Sequence, residues 1–191
     1  MKKNSVKNLA EAGLMAALCF VGYMVFPAIS ASGTKVHVGN AFVVLGALLL
    51  GGVWGGLSGA VGLSIADIIS GYAASAPRTF ITKLVIGLIV GLVAHKIGKI
   101  NEKHKKKDIF RLSLLASAAG LLFNCLFEPA LKYVWYTLLT PDAGKAASAI
   151  KALMAVTTYS TLINAVINTV IAVILYNIAR PVLKKSNLLS M

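Results

Sequence analysis

The chain has 191 residues, 58% of them hydrophobic and only 13% charged, with a formal net charge of +13 and a mean hydropathy of +0.81. A soluble domain carries about 25% charged residues to solvate its surface, so this composition excludes a water-covered globule. The basic residues cluster in short segments between apolar runs, as cytoplasmic loops do, and do not form a phosphate-tracking patch.

A hydrocarbon core of about 30 Å takes about 20 helical residues to cross. The apolar runs reach or approach that length and lack the alternation of barrel strands, so helices are expected. The expected fold is all-α: one membrane domain over residues 1–191, built as a bundle of six transmembrane helices.

Met1-Lys2-Lys3 and the apolar run from Leu9 to Ala28 resemble a signal peptide. No small-x-small cleavage site follows a short core, and further spans come after, so this run reads as a retained first helix, Asn8 to Phe26, stopped by Pro27. A polar loop at 29–40 leads to span two, Ala41 to Gly52. The GGVWGG turn opens span three, which continues to Gly71. The SGYAASAPR segment, about 70–78, is the next turn, and span four runs from Thr79 to Ile97. A strongly basic stretch at 96–111 precedes span five, which starts near Ile109 and carries Glu128-Pro129. A polar connection at 140–151 leads to span six, Ala152 to Ala179, before Arg180-Pro181.

Lys/Arg bias sets the orientation. Lys2, Lys3 and Lys7, the 96–111 cluster, and Arg180, Lys184 and Lys185 share one side; only Lys35, Arg78, Lys132, Lys145 and Lys151 fall on the other. Both termini are therefore expected in the cytoplasm, with the 29–40, 70–78 and 140–151 loops outside.

Ionisable groups inside spans are costly and face a cavity or one another. Asp67 lies 12 residues beyond Gly55, and Lys83 lies 13 before Lys96, so both reach similar heights in the outer half. A neutralising Asp67–Lys83 pair is expected, serving either as a structural clamp or as part of a ligand site. Asn124 and Glu128, and likewise Asn164 and Asn168, are spaced i, i+4 and share a helix face at about the same height. One amide alone would be helix glue; four spans with polar groups at one level indicate a pocket. Tyr72, Tyr133, Trp135, Tyr136 and Tyr159 lie near its rim, where aromatic belts form. Cys19 and Cys125 read as small buried apolar residues without redox spacing, and no metal-ligating motif occurs.

Small residues mark the cytoplasmic start of span one, where Ala12-xxx-Ala16 and Gly13-xxx-Ala17 would let another helix approach closely. A partner protein is a serious option for that face. Gly55, Gly56, Gly59 and Gly62 of span three read as internal packing.

The stretch His37-Val-Gly-Asn-Ala-Phe42, followed by the segment from Leu48 to Leu92, resembles the substrate-binding S components of energy-coupling-factor (ECF) vitamin transporters. Ala-Asp-Ile-Ile-Ser-Gly-Tyr and the following Ala-Pro-x-Thr are its most specific parts. The branch is similar to that of predicted pyridoxine, hydroxymethylpyrimidine and riboflavin carriers. The resemblance implies a multi-pass protein of the bacterial cell membrane that binds a vitamin beneath the first outer loop. It also implies that the face of Ala12, Gly13, Ala16 and Ala17 meets a membrane-embedded coupling subunit driven by two ATPase subunits. No cofactor is implied. One S-component fold serves unrelated vitamins, and the expected substrate is pyridoxine-like first, riboflavin second. The candidate substrate site is His37, Asn40, Asp67, Tyr72, Lys83, Asn124, Glu128, Asn164 and Asn168.

Two other readings stand beside it. Gly56-Leu57-Ser58-Gly59 fits GxSG, and His95 ends span four near the same face, as an intramembrane serine protease would need. A stand-alone ion-coupled carrier would use Asp67 or Glu128 as its coupling group. No Walker A sequence appears, so ATP-driven work would fall to a partner.

Overall fold

The computed structural model describes residues 2–25, 29–31, 34–103, 105–139 and 147–186. The expected stop at Pro27, the tip of the first outer loop at 32–33, and most of the 140–151 connection with Lys145 lie outside the described residues.

Six α-helices are described: α1 (Lys2–Met24), α2 (Gly39–Leu50), α3 (Gly52–Ile69), α4 (Ala76–Gly91), α5 (Lys106–Val134) and α6 (Ala147–Lys185). The fold is an all-α bundle with one small addition. Between α1 and α2, β1 (Ile29–Ala31) and β2 (Thr34–Val36) pair antiparallel with Ile29 opposite Val36. This ribbon replaces part of the plain loop expected from the sequence. Helix α4 begins three residues before the expected Thr79 because Pro77 fits a first turn, where its missing N–H leaves no bond unmade. It continues as a π-helical turn over Leu92–Ile97, and α5 does the same over Trp135–Leu139.

Among the described residues, four helical stretches are long and apolar enough to cross a membrane: Gly52–Ile69, Ala73–Ile97, Lys106–Leu138 and Ser148–Lys185. The pattern on α6 shows why the bundle suits lipid. Val166, Val170, Ile174 and Ile178 face outward at steps of four, while Thr157, Thr161, Asn164 and Asn168 are buried on the other side. Apolar groups thus lie outside and polar groups inside, the reverse of a soluble helix.

Helix α2 is the innermost element. Ten of its 12 residues are buried, and it packs against α1, α3, α4 and α6. It contributes Val43, Val44, Ala47 and Leu48 to the apolar core, which Leu63, Ile86, Val90 and Leu121 complete from α3, α4 and α5. Its close approach to α3 depends on glycine: a Cβ on Gly55 would fall on the Gly46–Ala47 backbone. Between α3 and α4 the same holds for Gly87, whose Cβ would strike the backbone of Gly56.

The bundle has two distinct ends. One carries the β-ribbon, the 70–75 turn and the start of α4. The other carries the 98–103 segment and the end of α6, where Arg180 donates to the carbonyls of Ile100 (3.0 Å) and Lys103 (3.3 Å). Most of the lysines cluster at this second, basic end.

Candidate functional site

A cavity of about 100 Å³ lies within the ribbon half of the bundle. Asp67 forms one wall. It is 8% exposed, and its carboxylate accepts the Tyr23 hydroxyl of α1 at 3.0 Å and the Thr79 hydroxyl of α4. Both donors are neutral. Lys83, one helical turn beyond Thr79, instead reaches Glu128 of α5, with Nζ 3.9 Å from Oε2. The expected Asp67–Lys83 pair is therefore not formed. Counting residues from the helix ends gives height in the membrane but not rotation about the helix axis, and rotation turns Lys83 toward α5.

Glu128 is positioned along its own helix. Asn124, one turn earlier, donates to the same Oε2 at 3.0 Å. Lys132, one turn later, also lines the cavity and donates to Thr157 of α6 at 2.8 Å. Arg78 donates to Ser75 at 3.1 Å and lies 5.7 Å from the centre of the Tyr136 ring. Arg78 and Lys132 are only 7% and 4% exposed. The sequence places them among outer-side loop charges, whereas the fold turns both inward against the cavity.

Helix α6 secures the segment between the ribbon and α2. The backbone N–H of His37 donates to Asn164 Oδ1 at 3.0 Å, and Asn168 Nδ2 donates to the His37 carbonyl at 3.0 Å. Asn168 Oδ1 accepts the Ala41 N–H at 2.9 Å. One fully buried amide therefore bonds the chain on both sides of the start of α2. The Gly39 N–H points at His37 Nδ1 at 3.1 Å, so that nitrogen is the acceptor and the neutral ring carries its proton on Nε2. The His37 ring packs edge-on against Tyr23 at 4.8 Å.

Seven of the nine candidate residues line the cavity: His37, Asn40, Asp67, Tyr72, Lys83, Glu128 and Asn164. Asn124 and Asn168 stand behind it, holding Glu128 and His37. Tyr23, Leu63, Thr79, Ser160 and Thr161 also line it and were not singled out in the sequence. Serine, threonine and tyrosine are ordinary on membrane helices, where a hydroxyl bonds its own helix backbone, so they carried little signal. Lys132 was the findable one, because it lies four residues from Glu128 on the same face. The Oδ1 atoms of Asn40 and Asn124 are buried with no donor among the described residues. Buried acceptors are normally satisfied, and the residue Asn40 also lines the cavity.

Ser58 and His95 are occupied elsewhere. Ser58 donates to the Trp54 carbonyl at 2.7 Å, and His95 Nε2 lies 3.0 Å from the Ala47 carbonyl. Neither lines the cavity, and they share no hydrogen bond with each other. At the small-residue face of α1, Ala12 is buried, and the Ala16 carbonyl lies against Gly62 of α3 where a Cβ would be. That ridge is partly spent on packing within the chain. Gly13 and Ala17 are exposed, and with Phe20, Gly62, Ile65 and Ile69 they border an apolar groove between α1 and α3.

The family described as "ECF-type riboflavin transporter, S component" matches residues 3–180. No curated protein and no solved structure matches the chain. The family match spans nearly every helix that builds the cavity. The chain belongs to the S-component family of ECF-type transporters, as a multi-pass integral membrane protein that serves as a substrate-binding subunit and not as an enzyme.

Proposed function

We propose that this chain captures a small heteroaromatic vitamin or vitamin precursor in the cavity beneath the β-ribbon, pyridoxine-like before riboflavin. The observation that carries this reading is the pair of acidic sites, buried Asp67 and half-buried Glu128, set among hydroxyls, amides and three basic side chains in one small cavity. Such a lining matches a compact ring with several hydrogen-bonding substituents better than a large apolar solute. In this reading all six helices cross the membrane with both termini inside, which the lysines of the basic end support. The ribbon end then faces outward and receives the vitamin. The α1 face of Ala12, Gly13, Ala16 and Ala17 meets the coupling subunit, and two ATPase subunits drive release on the inner side.

The test is direct. Mass spectrometry of protein purified from cells should reveal the carried ligand, and calorimetry with a panel of B vitamins should give tight binding without ATP. Uptake in cells should require a functional ATPase module; uptake by the chain alone, driven by an ion gradient, would favour the carrier reading. A cysteine at Lys105 should react with impermeant reagents only from the cytoplasmic side, and labelling of intact cells would reverse the orientation.

A further inference from the structure

The geometry points to a dipolar ring as the ligand: a protonated or N–H-bearing ring nitrogen held at Asp67, and an anionic or acceptor oxygen held among Arg78, Lys83 and Lys132. This inference rests on the proposal that the cavity captures a vitamin, and it names the charge pattern that the vitamin carries.

Asp67 is a buried carboxylate that, among the described residues, has no cation within ion-pair distance and accepts the hydroxyls of Tyr23 and Thr79. A carboxylate offers about four lone-pair directions, so two hydroxyl donors leave acceptor capacity facing the cavity. A buried negative charge favours a cationic or strongly donating group at that point. The other pole has the opposite balance. Arg78, Lys83 and Lys132 carry three positive charges around one carboxylate, Glu128, an excess of two among the described lining residues.

Helix α4 links the two poles: Thr79 donates to Asp67 of α3, and Lys83, a rise of about 6 Å further along α4, pairs with Glu128 of α5. Poles on neighbouring turns suit one small ring that carries both charges. Hydroxypyridines are such rings, because their neutral form transfers the phenolic proton to the ring nitrogen. Pyridoxine therefore presents N–H⁺ and O⁻ on one small ring. A flavin presents an uncharged tricyclic system that matches neither pole with a charge.

Coupling between ligand edits and protein edits tests this assignment. Calorimetry would use the full chain in detergent with pyridoxine, its benzene analogue with C–H in place of the ring nitrogen, its 3-O-methyl derivative and riboflavin. Asp67→Asn should weaken pyridoxine by roughly ten- to a hundredfold yet change the benzene analogue far less, since that ring has neither the N–H nor the positive charge to lose. Lys132→Gln should weaken pyridoxine while sparing the 3-O-methyl derivative, and Lys83→Gln serves if the first variant does not fold. Thermal melting of each variant separates binding loss from unfolding. Equal losses for parent and edited ligands would overturn the dipolar assignment. So would tight riboflavin binding indifferent to Asp67, though vitamin capture would then stand. Absence of binding by every vitamin in the panel would remove both proposals together.

Discussion

At the ribbon end the helices are tied together by side chains that bond across a polar cavity, whereas α2, α3 and α4 meet backbone to backbone along glycines. The first arrangement is built from long groups whose ends must find one another: Tyr23 with Asp67, Lys83 with Glu128, Asn164 and Asn168 with His37. The second is built by removing side chains altogether, as at Gly55 against Gly46–Ala47 and Gly87 against Gly56. In lipid, where apolar surface gives little drive for helices to associate, both close packing and internal polar bonds hold a bundle together. The difference lies in tolerance. A glycine seam admits one spacing, while a polar cavity can exchange partners with a ligand. The seam thereby holds α3 and α4, which carry Asp67, Thr79 and Lys83, at a fixed separation around a site that stays adaptable.

Substitutions that break this contrast should fall in a definite order of severity. Gly87→Leu places a branched side chain where the Gly56 backbone lies, and neither helix backbone can yield cheaply. It should abolish the folded bundle, seen as loss of the monodisperse peak in detergent chromatography with and without ligand. Recovery of a native-like melting transition would show that the seam is not needed to hold α3 on α4. Glu128→Ala leaves Lys83 buried without its ion-pair partner. It should cost about 3 kcal/mol of stability and be partly restored by Lys83→Met in the same chain; a double variant no more stable than the single one would refute the pairing. Asn168→Ala removes bonds to His37 and Ala41 at once, at about 1–3 kcal/mol. Its signature should be faster amide exchange around residues 37–41, with the seam unaffected. Ser58→Ala should change neither stability by more than about 0.5 kcal/mol nor ligand affinity, because its hydroxyl serves only the Trp54 carbonyl. A loss of binding there would join the two regions functionally.

Much of the polar cluster was legible because amides and carboxylates stand out within apolar runs. The i, i+4 spacing of Asn124 with Glu128 needs no tertiary information, and the fold forms that bond within α5. Depth was legible as well, since residue counts along a helix convert directly to height. Azimuth was not. The partner of Lys83 depends on how α4 is rotated against α5, a tertiary packing arrangement that includes the close contact at Gly120, where an added Cβ would meet Val90. The inward turn of Arg78 and Lys132 was hidden for a related reason, as each lies near a helix end where a charge ordinarily counts toward topology. The β-ribbon escaped because its strands are only three residues each, too short for a period to register.

The shortness of α2 has a consequence for biogenesis. Twelve residues make a rod of about 18 Å, well under the roughly 30 Å of hydrocarbon, and ten of those residues are enclosed by other helices. A translocon sampling α2 alone would meet a segment too brief to hold a transmembrane position. Only Gly51 separates it from α3, so the two enter as one helical hairpin, and α2 is enclosed once α4 and α6 pack against it. The cavity, which takes Asn40 from α2 and Asn164 from α6, thus exists only once the last helix has been synthesised, and a chain that lacks α6 will not contain it.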